Sequence, residues 1–371
     1  MLKPVSSLNL TSERDVEAAW PHLLQAILDA SPIVKDLVVN PVPNRGGADG
    51  TADFTIADES HRLVIECKSS GQPRHVRDAI GQLQRELTRS TTLTRGLFVA
   101  PFISPASREM LADSNMGWLD FAGNARILFP RFHLEVSKAD RDPFATKREQ
   151  RSLFFPKSAR LLKVLLHEPH QFWKVTDLAA RAGVSAGQVS NVRRALIDRE
   201  WALAETGEGF RLVKPEALLD SWRDDGLHAP SVALRGYTLK HGRVLDAAIE
   251  SVFSDTSLRD DSHVLLASHS VARRAAPYAR VAGEFFYASA VGIELLKRQL
   301  DIKPTEQGEN VTIFRPSDDG LWQETMDIGS KLKGTDPIQT YLDLLSTGER
   351  GRETAEHWRA EKIKPMWMDK G

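Results

Sequence analysis

Gly50-Thr51-Ala52-Asp53-Phe54-Thr55-Ile56, followed by Arg62-Leu63-Val64-Ile65-Glu66-Cys67-Lys68, reads as two strands of an antiparallel hairpin, separated by the turn residues Asp58, Glu59 and Ser60. Side chains alternate along a strand, so Leu63, Ile65 and Cys67 point one way and Val64, Glu66 and Lys68 the other. With the turn centred near Glu59, Asp53 falls opposite Glu66. Three charged groups then converge on an otherwise apolar hairpin.

Working outward, Val16, Trp20, Leu23, Leu24, Ile27 and Leu28 form an apolar stripe at helical spacing. They predict a helix from about Asp15 to Ala30, capped by Thr11 or Ser12. A Gly-rich loop, Asn44–Gly50, leads into the hairpin. A second helix is expected over Arg74–Leu87, then a buried strand at Gly96–Ala100, a helix near Ser104–Ser114, and strands at Ala125–Phe129 and Arg131–Val136. The order is α-β-β-α-β-α-β-β.

Two carboxylates held about 4 Å apart repel by on the order of 1–4 kcal/mol in water-like to surface-like surroundings. A hard divalent cation relieves that repulsion, which makes Asp53 and Glu66 candidate Mg²⁺ ligands. Bound metal polarises a phosphodiester and acidifies an attacking water, and Lys68 can position that water or neutralise developing charge. Glu13 and Glu17, three and four residues from the Trp20 stripe, offer a further carboxylate, with Glu17 preferred. A plain salt-bridge ladder between Glu66 and Lys68 remains the structural alternative. Asp53, twelve intervening residues and Glu66-Cys67-Lys68 resemble the PD-(D/E)XK nuclease superfamily over residues 10–136, although Ala52 stands where a proline commonly precedes the Asp. The resemblance implies that Asp53 and Glu66 bind Mg²⁺, that Lys68 assists the water, and that Gln82 on the following helix contributes. Gly117-Trp118-Leu119-Asp120-Phe121-Ala122-Gly123-Asn124 is similar to a segment common in regulator-fused members.

Residues 137–151 are polar and basic and read as a linker. Three helices and a hairpin are expected over 152–225. Ala159, Leu161, Leu162, Val164, Leu165 and Leu166 mark the first helix. The segment from Lys174 to Gly183 gives the second helix and a glycine turn, and Ser185 caps the third. That third helix keeps Val189, Val192, Leu196 and Ile197 for the core and leaves Gln188, Ser190, Asn191, Arg193 and Arg194 outward. Trp201–Glu205 and Phe210–Val213 form a hairpin around Gly207 and Gly209. The segment closely resembles a bacterial winged helix-turn-helix, whose third helix would enter the major groove of double-stranded DNA. A winged helix used only for protein contacts is the alternative. Lys147, Arg148, Arg151, Lys157 and Arg160 either touch phosphate or form a solvated linker.

From residue 226 onward an α+β domain is expected, with apolar segments at His263–Ala267 and Gly283–Leu296 and a clear helix opening at Asp336-Pro337. Trp322, Tyr341 and Trp358 are assigned to its core. His269 beside Arg273 and Arg274 is read as a solvated helix end rather than a phosphate pocket. Asp336-Pro337-Ile338-Gln339-Thr340-Tyr341-Leu342-Asp343-Leu344, with Gly348, Arg350-Gly351-Arg352 and Glu353-Thr354-Ala355-Glu356, resembles the C-terminal signature of AbiEi-type antitoxins; Ala267–Arg274 is similar to an earlier block. The resemblance implies a winged helix joined to a C-terminal domain, repression of the protein's own operon, and a nucleotidyltransferase-type toxin as partner. The nuclease-like domain in front is a departure from that pattern.

Charge supports this division. Residues 1–136 carry a net of −2, residues 137–200 a net of +6 and residues 201–371 a net of −5. A basic middle between acidic flanks suits one module that meets phosphate. One cysteine, Cys67, excludes an internal disulfide and suits a reducing compartment. The start of the chain, MLKPVSSLNLTSERD, has no apolar signal core, and no run of about 18 apolar residues occurs. A cytoplasmic protein of class α/β + α is expected: a PD-(D/E)XK restriction-endonuclease-like domain, a winged helix and a C-terminal α+β domain. Three functions stay open. One is an AbiEi-type transcriptional regulator, with a homodimer on an inverted repeat as its expected form. Another is a Mg²⁺-dependent DNA endonuclease of a restriction or defence system. The third is a scaffold whose nuclease fold serves protein contacts.

Overall fold

The computed structural model describes residues 10–41, 47–88, 93–144, 153–226, 230–254, 263–279 and 281–368. Lys147, Arg148, Arg151 and Asn44 lie outside the described residues. The chain divides into two compact units, one of residues 1–150 with 196–200, the other of 151–195 with 201–371. Both mix helix and sheet. No described helix is long and apolar enough to cross a membrane.

The first unit is built on a seven-stranded sheet in sequential order, β1 (Val34–Pro41), β2 (Gly50–Ile56), β3 (Glu59–Cys67), β4 (Leu93–Ala100), β5 (Gly117–Asp120), β6 (Ala125–Phe129) and β7 (Phe132–Val136). β3, β4 and β5 run parallel, and the flanking pairs are antiparallel. The parallel strands are apolar on both faces because each face carries helix. Helix α1 (Glu13–Leu28) covers one face, burying Val16, Trp20, Leu24 and Ile27 against Ala52, Phe54, Ile65 and Val99. Helices α2 (Pro73–Leu87) and α3 (Pro105–Asp113) cover the other, with Val76, Leu83 and Leu111 against Val64, Phe98 and Trp118.

Two strands are additional to those expected. In β1, Asp36 takes a left-handed φ of 53° and the pairing shifts between Lys35 and Val38, so the alternation that marks a strand is broken. β5 has four residues, three of them buried, too few to show a period.

The Gly117–Asn124 segment has a structural explanation. Asp120 and Asn124 are both fully buried. The Asp120 carboxylate accepts from Asn124 N (2.8 Å), Asn124 Nδ2 (2.8 Å) and Ile103 N (3.1 Å). Asn124 Oδ1 accepts from Lys138 N (2.7 Å) and Ala139 N (3.0 Å), and its Nδ2 also donates to Ala139 O (3.0 Å). The pair clasps the β5–β6 turn to the chain leaving the sheet. Asn124→Ala removes four hydrogen bonds from a buried site and is expected to lower stability by about 2–4 kcal/mol, measured by urea unfolding followed through tryptophan fluorescence.

In the second unit, helices α4 (Pro156–His167), α5 (Val175–Ala182) and most of α6 (Ala186–Asp198) precede a two-stranded hairpin, β8 (Ala202–Glu205) with β9 (Gly209–Leu212), and α7 (Pro215–Asp225). Gly183 ends α5 at φ 63°, a conformation that costs glycine little. The remaining chain forms a second seven-stranded mixed sheet, in the order β13 (Lys303–Pro304), β10 (Ser231–Tyr237), β14 (Val311–Arg315), β12 (Glu284–Ala288), β11 (Val264–Leu266), β16 (Lys333–Thr335) and β15 (Thr325–Asp327). Helices α8 (Gly242–Ser254), α9 (Ser268–Ala275), α10 (Ala290–Leu300), α11 (Pro337–Leu345) and α12 (Glu349–Trp358) accompany it. Tyr341 and Trp358 are fully buried, and Trp322 is partly buried, stacked on His263 at 5.0 Å between centroids.

The three-helix region and this sheet domain are held together by ion pairs. Lys163, itself buried on α4, donates to Asp336 Oδ2 (3.0 Å) and to Gln339 Oε1 (2.8 Å), while His167 Nε2 lies 3.3 Å from Asp336 Oδ1. Arg160 pairs with Asp318, Arg181 with Glu324 and Arg359 with Asp220. Arg160 is therefore committed to an internal carboxylate; Lys157 stays exposed.

Candidate metal centre and nucleic-acid interface

In the first unit, Ser12 and Asp15 close a capping box that starts α1 one residue before Glu13. Burial of Val16, Trp20 and Leu24 then fixes the rotation of the helix and sets Glu13 and Glu17 one turn apart on a half-buried flank. Gly50 permits the close approach, because a Cβ there would overlap the Trp20 ring. The two glutamates meet Asp49, with one oxygen of each within 4.8 Å of the others. Asp49 is 3% exposed; its Oδ2 accepts from Cys67 N at 2.7 Å and its Oδ1 has no hydrogen-bond partner. At the end of β3, buried Glu66 accepts from Lys68 Nζ at 2.6 Å, and the same ammonium reaches Glu13 Oε1 at 3.1 Å.

Four carboxylates thus surround one ammonium, and the electrostatics follow. Burial pushes the Glu66 carboxyl up to about 7, against the pull of Lys68 and with Asp49 adding to the rise. Burial also raises Asp49, opposed by the Cys67 amide, and raises Glu17, helped by Asp49 and Glu13. Burial alone would depress Lys68, but Glu66 and Glu13 outweigh it and hold the amine as an ammonium. Excess buried negative charge around an oxygen without a partner is what a divalent cation would satisfy, and the donor set is all oxygen.

Asp53 is not part of this cluster, which corrects the register expected from the sequence. The β2–β3 pairing sets Asp53 against Arg62, and the two form an ion pair at 2.6 Å. The turn is only Ala57-Asp58, both left-handed at φ 48° and 64°, rather than a turn centred near Glu59. Gly50 pairs with Ile65, so one step further Asp49 stands opposite Glu66. Asp53 does share a sheet face with Glu66, but it sits four residues, about 13 Å, along the strand from Asp49. Sequence reasoning missed Asp49 because nothing marks Ala57 for the left-handed conformation that sets the register. Gln82 is on α2 as expected, partly buried, with its Oε1 buried and without a partner.

In the second unit, the six residues singled out around α6 behave differently from one another. Ser185 caps the helix, its Oγ accepting from Gln188 N at 3.2 Å. The Gln188 side chain is turned inward and donates to Ser158 Oγ of α4 at 2.5 Å. Arg193 is half-buried, with its guanidinium 5.9 Å from the centroid of Phe210 on β9. Ser190 is exposed and donates to Ala186 O at 3.0 Å. Asn191 and Arg194 are exposed, and among the described residues neither has a hydrogen-bond partner in the protein. The hairpin tip beside α6 is acidic, with Glu205 and Glu208 both exposed.

In the sheet domain, buried Asp336 caps α11, its Oδ1 accepting from Ile338 N (2.9 Å) and Gln339 N (3.1 Å) while Lys163 and His167 neutralise it. The block from Ala267 to Leu345 so ties strand, helix cap and α4 together. Residues 211–364 match the AbiEi antitoxin family, transcriptional regulators of type IV toxin–antitoxin systems. The match opens within β9 and takes in α7 and the whole second sheet. No curated protein and no solved structure matches the chain. Within the AbiEi-type segment, α9 is not the solvated helix end expected from the sequence. Ser268 through Ala272 are buried, His269 Nε2 lies 2.9 Å from Thr347 Oγ1, and Arg273 and Arg274 both pair with buried Glu284. Burial, followed by the nearby Arg273, holds His269 down to about 4, so it is neutral at pH 7. Both arginines are thus paired with a buried carboxylate and brace the core.

Proposed function

We propose that this chain is a DNA-binding transcriptional regulator of AbiEi antitoxin type, in which residues 152–225 act as a winged helix-turn-helix and the first unit as a PD-(D/E)XK-like domain. The family match over residues 211–364 carries the regulatory part of this reading. The exposed polar stripe of α6 supports DNA as the ligand, since a third helix of this kind enters the major groove. Arg194 and Lys174 are exposed cations that can grip phosphate, whereas the acidic hairpin tip would be repelled by it. The partner implied by the family is a toxin, here a nucleotidyltransferase, and the operator an inverted repeat bound by two copies in the cytoplasm. The test is a gel shift on the promoter of the chain's own operon. Specific retardation is expected at moderate salt, and Arg194→Ala is expected to reduce the slope of log affinity against log salt by about 1. Failure to bind duplex DNA would reject the reading.

A second activity, Mg²⁺-dependent phosphodiester cleavage, is favoured by the partnerless Oδ1 of Asp49 within the carboxylate cluster. Asp49, Glu66 and one or both of Glu13 and Glu17 would hold the ion, which supplies Lewis-acid activation of a phosphodiester and of water. Lys68, held protonated by Glu66 and Glu13, cannot serve as a base; it orients the attacking water and offsets charge on the phosphate. Glu66 must lose its proton to bind metal, so Mg²⁺ affinity is expected to fall about tenfold per pH unit below pH 7, measurable by isothermal titration calorimetry.

A further inference from the structure

The exposed surface of helix α6 is narrow. At 100° per residue, positions 186, 187, 190, 191 and 194 fall within an arc of about 140°. Ala186, Gly187, Ser190, Asn191 and Arg194 are all exposed. Gln188 and Arg193 lie outside that arc on opposite flanks, and each is engaged by the protein, the first by Ser158 and the second by the Phe210 ring. Ser190 has spent its donor on Ala186 O and keeps only acceptor capacity. Gly187 has open space around the position of a Cβ apart from the Ser185 hydroxyl at 4.0 Å, so the first turn of α6 offers no bulk to hold a base edge away.

This leaves Asn191, at one edge of the arc, as the amide with both donor and acceptor unengaged. An asparagine amide matches adenine in the major groove, donating to N7 and accepting from N6, whereas it has no paired match on guanine, which shows two acceptors. Ala186, on the first turn, offers a methyl group to the C5 methyl of thymine. Arg194, near the middle of the arc and one turn beyond Ser190 toward the C-terminal end, offers a cation to the phosphate backbone.

We propose that Asn191 is the specificity-determining residue of this helix and that it reads one adenine in each half-site, within an A·T-containing core, while Arg194 contributes affinity without selectivity. The inference rests on the DNA-binding reading given above and deepens it.

The test uses the full chain with its natural N-terminal unit. Duplexes selected from a random pool by wild type are expected to converge on an adenine at one position per half-site. At that position a change to guanine should weaken binding by about 5- to 150-fold, as should 7-deazaadenine, which lacks the N7 acceptor. Asn191→Ala, an exposed substitution, should bind the selected site and the guanine variant within about twofold of each other, and Arg194→Ala should weaken both equally. An Asn191→Ala protein that selects the same sequence as wild type overturns the assignment while leaving the DNA-binding function intact. A wild type that retains no duplex of any sequence overturns both.

Discussion

Asp49→Asn is expected to abolish Mg²⁺ binding and any Mg²⁺-dependent cleavage by the first unit, while Asp53→Asn leaves both within about twofold of wild type. Asp49 is buried beside Glu13 and Glu17 with a free oxygen; Asp53 is half-exposed and already paired with Arg62. Loss of a partner that only orients a metal ligand typically costs 10- to 100-fold in affinity or activity, and loss of a ligand should cost at least about 100-fold. Without metal the effect reverses in sign. Removing one of several crowded carboxylates relieves repulsion, so the metal-free Asp49→Asn protein should be more stable by on the order of 1 kcal/mol. Thermal unfolding with and without Mg²⁺ reads both effects at once: a raised midpoint without metal and a lost increment with it. If Asp53→Asn instead removes the Mg²⁺ increment, the site has been assigned to the wrong end of β2.

Asp336→Ala is expected to be the most destabilising single change in the second unit, by about 3–5 kcal/mol in urea unfolding, because it strands buried Lys163 without its carboxylate and removes the cap of α11. Adding Lys163→Met to Asp336→Asn should recover most of the loss, since the uncompensated charge is gone and the amide can still cap. The pH dependence separates the two cations. Asp336 is held well below the usual carboxylate range: its burial is overcome by Lys163 and His167, so its contribution is complete at ordinary pH and lost only in strong acid. Burial would lower His167, but Asp336 more than offsets this and holds it above 6.5. A raised histidine stabilises fully below its unfolded value and loses that contribution as pH rises through the folded one. His167→Ala should therefore cost about 1.5–3 kcal/mol at pH 6 and clearly less at pH 9. An equal cost at both values would show that the imidazole is not charged in this contact.

The apolar stripe of α1, the alternation of β2 and β3, the capped α6 and the Asp336-Pro337 helix start were all legible along the chain, because each is a local pattern of period 3.6 or 2 or a local cap. Glu66 and Lys68 were found together for the same reason: residues two apart on one strand share a face regardless of what surrounds them. Asp49 was not legible. Which residue opposes Glu66 depends on the number of residues in the β2–β3 turn, and that turn is made by an alanine in a conformation alanine seldom adopts. Likewise Gln188 and Arg193 share an amphipathic pattern with Asn191 and Arg194, and only the positions of Ser158 and Phe210 separate the engaged pair from the exposed one.

By itself, then, the sequence marked most of the helices and strands and the apolar face of each, and residues 211–364 match the AbiEi antitoxin family. The tertiary structure alone decided which carboxylates gather at the end of β3, which polar side chains of α6 remain exposed, and that Lys163 and His167 close on Asp336 more than 160 residues away. The physical reason is range. Periodicity and capping act over a few residues, whereas register, burial and ion pairing are fixed only when distant strands and helices exclude water from one another.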